Sequence, residues 1–311
     1  MPAYHIERRI KIQATADKVR PVVEDFGEWP KWSPWLCMEP SAELTYQGNP
    51  GETGHGYHWK GTLVGEGGMQ MSGISESTYD MKLDFIKPFK SRAGVKIQVL
   101  PIADDETEVV WEMEGKLPFF LFFMLKMMKA SIGADYDRGL KMMKEYVETG
   151  DVLSKVDIQG IVDVEGWNYI GVNDECSMSE IGASMSTTLP EAFALTKSAD
   201  LSPSGPPGAV YHSVDLIKQY CQYTAVIPVE TTQGVDQGVT TGQYTSGKAL
   251  KVVHTGSYAN LGNAWSAAMG YVRYKKLKLD KKQAPYECYQ TDPDHTPDAE
   301  CVTEIFLPIR G

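Results

Sequence analysis

Leu117–Glu148, LPFFLFFMLKMMKASIGADYDRGLKMMKEYVE, decides the fold of the first half of this chain. Its apolar residues Leu125, Met128, Ile132, Tyr136, Leu140, Met143 and Val147 recur at steps of three or four, one stripe of an α-helix. Lys126, Lys129, Asp137, Lys141, Lys144 and Glu148 take the other side, so the helix is amphipathic. About 28 residues at 1.5 Å each make a rod of roughly 42 Å, which needs a broad apolar partner. Met124, Met127, Met128 and Met143, with several phenylalanines, make an adaptable surface that suits a cavity wall as well as a packed core. The uninterrupted apolar run ends at Lys126, far short of the ~18–20 residues a bilayer span requires.

The preceding segments supply the partner. His5–Ile12 alternates as a strand, and Thr15–Asp25 reads as a short helix. In WPKWSPW, Trp29–Trp35, two prolines forbid a regular element, so three indoles sit on an irregular segment. They either plug the end of a sheet or line the mouth of a pocket. YHWKGTLVGEGGMQMSGI reads as two strands joined at glycines, followed by strands at Met81–Pro88, Val95–Leu100 and Glu108–Gly115. Strand, helix, a run of antiparallel strands and one long terminal helix make an α+β layout, a curved sheet around that helix. His55 and His58, three apart on a strand approach, point to opposite faces, and no metal site is expected.

WPKWSPW, GNPGETGHGYHWKG, GEGGMQMS and ADYDRGLKMMKEYVE resemble the polyketide-cyclase-like branch of the START-related (SRPBCC) superfamily, over essentially residues 1–150. The resemblance implies a helix-grip fold with an apolar cavity between sheet and helix, but no particular chemistry. Trp35, Trp59, Met128 and Ile132 are the candidate ligand contacts of that cavity.

The totals bound the rest. At 311 residues the chain is long enough for two full cores. A net charge of −11 argues against a nucleic-acid partner, and there is no basic helix-turn-helix pattern. The start, MPAYHIERRIKI, has no apolar signal region, and five scattered cysteines without a CxxC read as reduced thiols. A cytoplasmic protein is expected, with Cys288 and Cys301 the one pair placed on neighbouring strands.

TGDVLSKVDI, Thr149–Ile158, is a polar linker, so the domains are expected at 1–150 and 156–311. The second contains an internal repeat: a slide of 80 residues puts Ser177 on Ser257, Gly182 on Gly262, Met185 on Trp265 and Pro228 on Pro308. Each half reads strand, helix, hairpin: Val162–Val172, Ser177–Ser198, then Ala209–Asp215 with Tyr223–Val229. The second half runs Ala249–His254, Tyr258–Lys276, then Tyr286–Thr291 with Cys301–Ile309. In its helix Tyr258, Leu261, Trp265, Met269 and Val272 form the expected buried stripe. Two such halves join their sheets about a pseudo-two-fold axis and leave a cleft along it.

GPPGAVYHSVD, HTGSYANLGNAW, YECYQTDPDHTP and TEIFLPI resemble the GyrI-like small-molecule-binding domain, also the effector-binding part of multidrug-responsive regulators. The resemblance implies a central cleft for amphipathic or cationic compounds with a glutamate among aromatic residues. In some members it also implies hydrolysis of reactive cyclopropane-containing toxins. Glu287 shares a strand face with Tyr289, and Glu304 shares one with Phe306. Their first-half counterparts, Tyr211 or its neighbour and Ala225, are uncharged, so the repeat itself does not require either acid. Glu287 or Glu304 is the expected anchor and the candidate acid or base, with Tyr211, Tyr258, Trp265 and Tyr289 around it. YCQYTAVIPV in the first half lacks the acids that many members carry there, so the cleft is expected to be less acidic.

Two modules binding small hydrophobic or amphipathic molecules, without a cofactor, nucleic acid or membrane, is the function these readings favour. The alternative is a hydrolase acting on reactive electrophiles in the second cleft. A third reading is toxin antagonism through a protein partner. No P-loop, dinucleotide fingerprint or Ser/His/Asp spacing appears.

Overall fold

A computed structural model describes residues 3–88, 90–117 and 119–310, and places two compact units at Met1–Val152 and Leu153–Gly311. Pro118 and the side chains of Phe119 and Phe120, in the stretch that opens the long helix, lie outside the described residues.

The first unit runs β1 (Ala3–Ile12), α1 (Ala16–Glu24), β2 (Glu43–Gln47), β3 (Gly56–Lys60), β4 (Glu66–Ile74), β5 (Thr78–Lys87), β6 (Ser91–Ala103), β7 (Glu106–Lys116) and α2 (Leu125–Thr149). Its strands form one antiparallel sheet in the order β1-β7-β6-β5-β4-β3-β2. Alternate residues face the helix, as a period of two demands: Met69 and Met71, Tyr79, Met81 and Leu83, Val95, Ile97 and Val99, Val109, Trp111 and Met113 are all buried. Tyr136, Leu140 and Met143 from the predicted stripe meet them. The helix proper starts at Leu125, after a 3-10 turn over Phe119–Met124. It ends where Gly150 turns left-handed at φ 88° and returns its N–H to the Tyr146 carbonyl.

Aromatic packing fixes the helix on the sheet. Tyr136 stacks on Trp111 with ring centres 4.0 Å apart, and Trp29, Trp32 and Trp35 meet Trp111 edge-on at 6.0, 5.4 and 6.0 Å. Trp29 and Trp32 are fully buried and donate their indole N–H groups to the Val23 and Val22 carbonyls of α1. They plug the interior, while Trp35 is half-buried at its border. The strand β2, unforeseen in the sequence, is a short and mostly exposed edge. His55 is buried between the Phe26 N–H and the Gln47 carbonyl, and His58 is half-buried beside Glu66. Among the described residues one cation-sized group occurs, the exposed His5 with half-buried Glu7 and Glu112, where Glu7 is already paired with Arg9.

The second unit runs β8 (Ser154–Val164), β9 (Trp167–Ser177), α3 (Ile181–Ser198), β10 (Gly208–Asp215), β11 (Tyr220–Val229), β12 (Thr240–Tyr244), β13 (Gly247–Gly256), α4 (Gly262–Lys275), β14 (Tyr286–Tyr289) and β15 (Val302–Ile309). The sheet order, β12-β9-β11-β10-β14-β15-β13-β8, is a palindrome of the repeat. Each half gives β-α-β-β, and the strand preceding each half pairs with the other half: β8 with β13, β12 with β9. The expected strand Val162–Val172 is therefore broken at Glu165 and Gly166. A Cβ on Gly166 would lie 2.9 Å from the Tyr244 carbonyl oxygen, so this turn packs on the backbone of its counterpart before β13.

The face of α4 also differs from the expected stripe. Ala264, Ala267, Ala268 and Val272 are buried, Leu261 and Trp265 are half-buried, and Met269 is exposed. The alanines let the helix lie close on the sheet, and this rotates Met269 outward and Trp265 to one side.

Gly139 of α2 tests the packing. A Cβ there would approach both Pro34 Cδ and Trp111 Cζ3 to 2.8 Å, whereas at Gly133 the obstacle is the flexible end of Arg8. Gly→Ala normally favours a helix by about 1 kcal/mol, and overpacking costs about 1–3 kcal/mol. Gly139→Ala is expected to lower stability in urea titration while Gly133→Ala is neutral or stabilising. A stabilised Gly139→Ala would contradict the tight helix-to-sheet contact.

Candidate functional site

The β10/β14 pair forms the centre of the second sheet, with Ala209 directly opposite Glu287. The ladders show which residues the repeat makes equivalent. Ala209 pairs with Ala225 and Glu287 with Ile305, while Tyr211 pairs with Tyr223 and Tyr289 with Thr303. Glu287 thus replaces Ala209, Tyr289 matches Tyr211, and the pseudo-axis passes between Ala209 and Glu287. By the same ladders Glu304 matches Thr224, not Ala225.

Glu287 is 2% exposed. Both pseudo-equivalent tyrosines donate to its Oε2, Tyr211 at 2.9 Å and Tyr289 at 2.8 Å, and Trp265 Nε1 donates to Oε1. Three donors from three elements converge on one carboxyl group. Burial pushes that carboxyl above its ordinary value, and the donors Trp265, Tyr289 and Tyr211 pull it back. Burial, with the charge of Glu287 next, holds both phenols well above their ordinary range, so they remain donors.

Around this group Trp265 meets Tyr211 edge-on at 5.3 Å, and Tyr258 meets Tyr289 edge-on at 5.7 Å. Tyr289, Tyr258 and Trp265 are half-buried, so the aromatic side of the group is the accessible one. Met185 of α3, which the repeat aligns with Trp265, closes the other side, its sulfur 4.0 Å from the Tyr289 hydroxyl that donates to Glu287. Behind Tyr211 the buried Tyr223 bonds Ser184 and Thr188 of α3, and Ser184 in turn donates to Asp174. Sequence reading did not single out Met185 or this chain. The repeat slide, which aligns Met185 with Trp265, held the one signal for the former.

Glu304 is not in this group. It faces the opposite side of the sheet, 2.7 Å from Lys251 Nζ, with Phe306 under the same lysine at 5.5 Å. That face carries its own aromatic cluster, including Tyr169, Tyr244, Tyr286 and Phe306. On adjacent strands Glu287 lies opposite Ile305 and Glu304 opposite Cys288, so the two glutamates alternate to different faces. The structure therefore brings Glu287, Tyr211, Tyr258, Trp265 and Tyr289 together and leaves Glu304 as half of an ion pair.

In the first unit the expected contacts separate. Trp59 is buried, bonded to the Val64 carbonyl and edge-on to Phe85 at 6.0 Å. Trp35, Met128 and Ile132 are half-buried. The fully buried Trp111 Nε1 and Tyr136 Oη have no hydrogen-bond partner among the described residues.

The geometry defines two α+β folds, one a sheet gripping a helix, the other a duplicated sheet with an enclosed acid. Residues 3–148 match the family model for polyketide cyclase / dehydrase and lipid transport, and residues 160–310 match that for the GyrI-like small molecule binding domain. The first unit is a member of the former family and the second is a GyrI-like small molecule binding domain. Among solved structures, the crystal structure of the EcmrR C-terminal domain is 16% identical, with 51% of this chain and 99% of that one covered at a TM-score of 0.44. The EcmrR–DNA complex in EcmrR-RPo is 15% identical over 61% of this chain and 67% of that one, TM-score 0.44. The Zhui aromatase/cyclase from Streptomyces sp. R1128 is 11% identical over 47% and 94%, TM-score 0.39. A search of curated proteins finds no match. No helix among the described residues is long and apolar enough to cross a membrane.

Tyr211→Phe and Tyr289→Phe each remove one donor from Glu287. Because those donors favour the charged form, each change is expected to raise the midpoint at which the carboxyl titrates, read by carbon NMR of labelled glutamate. Each should also lower stability by about 1–3 kcal/mol at neutral pH. An unchanged midpoint in both variants would contradict the hydrogen-bonded arrangement.

Proposed function

We propose that this is a two-module small-molecule-binding protein whose second unit takes an amphipathic or aromatic cation on Glu287, between Tyr258, Trp265 and Tyr289. The observation that carries the reading is the single buried carboxyl at the pseudo-axis, approached by half-buried aromatic rings. A cation there gains both charge attraction in a site of low dielectric and the negative faces of the rings. The neutral alternative, a protonated glutamate, accepts fewer hydrogen bonds from the three donors, so ligand charge and ionisation are coupled.

The first unit is proposed to take an apolar ligand at the less filled end of the grip, by Met128 and Ile132 near Trp35. Trp111 and Tyr136 supply support, since two buried donors without a partner suit a ligand that carries an acceptor oxygen. A net charge of −11 supports a small-molecule partner over a nucleic acid. Five free cysteines support a cytoplasmic setting.

A second reading is favoured by one observation, the two tyrosine hydroxyls within hydrogen-bond reach of Glu287. A carboxyl raised by burial, beside two phenols, is equipped to move a proton, and the unit would then hydrolyse a reactive electrophile.

Titrating benzyltrimethylammonium into the protein tests the binding reading. Glu287→Gln is expected to weaken it about ten- to a hundred-fold, the loss of a charge-assisted contact of about 1.5–3 kcal/mol. Glu304→Gln should leave it within about two-fold, because Lys251 already occupies that acid. Wild-type affinity should rise as pH climbs through the Glu287 midpoint, above the ordinary 4.5, since only the carboxylate attracts the cation. Equal affinities for wild type and Glu287→Gln, or no pH dependence, would contradict the proposal. Consumption of an electrophile by the wild type, abolished in Glu287→Gln, would favour the hydrolase.

A further inference from the structure

Cys176 on β9 and Cys221 on β11 are direct partners in the antiparallel ladder, with their sulfurs 3.8 Å apart. Directly opposed residues in such ladders have Cα atoms about 4.5–5.5 Å apart, inside the range of about 4.4–6.8 Å that a disulfide spans. The other three cysteines have different neighbours. Cys37 donates to the Pro30 carbonyl, Cys301 to the Thr296 carbonyl, and Cys288 sits opposite Gly208 and Glu304. The pair that the sequence placed on neighbouring strands, Cys288 and Cys301, is therefore not the one the fold sets face to face.

We infer that Cys176 and Cys221 form an oxidation site, a dithiol that small-molecule disulfides convert to an intramolecular cross-strand bond. Access sets the order of events. Cys176 is half-buried, whereas Cys221 is 2% exposed. The Cys176 sulfur attacks one sulfur of the small disulfide, forming a mixed disulfide and releasing one small thiol. The Cys221 sulfur then attacks the Cys176 sulfur of that mixed disulfide, losing its proton and expelling the second small thiol. Two protein thiols are oxidised and one small disulfide is reduced to two thiols, so electrons and protons balance. Burial pushes the Cys221 thiol up to about 12, so the second step is the slow one.

The bond would join residues 45 apart in sequence and constrain the unfolded chain. It also lies beside the cage of aromatic rings around Glu287, those of Tyr211, Trp265 and Tyr289. Cys221 belongs to the buried cluster of Ala209, Tyr211, Tyr223 and Ala225, on which Ile181, Met185 and Leu189 of α3 pack. Oxidation thus ties together two strands of the wall that carries Tyr211. This inference stands on the register and the thiol contact, whatever ligand the cage takes.

The test incubates the full folded chain with oxidised glutathione, then maps peptides without reduction. The expected result is a Cys176–Cys221 linked peptide, an intact mass lower by two hydrogens, and a thermal midpoint raised by several degrees, all reversed by dithiothreitol. Cys221→Ser should trap glutathione on Cys176, whereas Cys176→Ser should leave Cys221 unmodified. If either variant fails to fold, the wild-type peptide map decides alone. Wild-type protein in which Cys176 and Cys221 stay unlinked, or carry separate glutathione adducts, would overturn the inference.

Discussion

One carboxyl group held out of water is the constraint on which the second unit depends. An ionised carboxylate in a low-dielectric interior carries a penalty of several kcal/mol unless donors surround it. Glu287 has three, and they come from β10, β14 and α4, so its position requires both halves of the repeat to be joined in register. Removing the acid would leave two phenols and an indole facing one another without an acceptor. The duplicated scaffold supplies the tyrosines symmetrically, and the substitution of glutamate for the alanine opposite puts a buried acid between them.

The first unit is built on a different principle. Its interior is held by Tyr136 stacked on Trp111 and by three tryptophans of an irregular segment, with two of their N–H groups tied to carbonyls of α1. Packing is complete along the half of α2 from Tyr136 to Met143, and looser toward Leu125–Ile132. A filled half and a looser half on one helix are what a ligand-holding grip requires, because the filled half positions the helix without any ligand. Together the units pair an apolar interior with an enclosed charge, two interiors of opposite chemistry in one chain.

Much of this was legible in the sequence because burial imposes a period. The stripe Tyr136, Leu140, Met143 and the alternation through Val95, Ile97, Val99 come directly from helix and strand geometry. The glycine at 150 marked the helix end because only a left-handed residue closes that cap cheaply. The repeat was readable by sliding the chain on itself, and it placed Met185 against Trp265. What remained hidden depended on pairing between distant strands. The break at Glu165–Gly166 exists because β8 joins the other half, and no local pattern reports a strand exchange. Alternation alone cannot say which face of β15 meets the helices, so Glu304 stood as a candidate behind Glu287, whereas in the fold it pairs with Lys251 on the other face. The exposed Met269 follows from the alanine face of α4, where small residues outweigh larger ones by allowing closer approach. Cys176 and Cys221 face each other only through the β9/β11 register.

The most direct test of the central claim is a crystal structure of the protein with benzyltrimethylammonium bound. The account predicts the ammonium group beside the Glu287 carboxylate, its ring against Trp265, Tyr258 or Tyr289, with Tyr211 still donating to the acid. A cation seated on the Lys251–Glu304 face, or a cage unoccupied at saturating ligand, would contradict it.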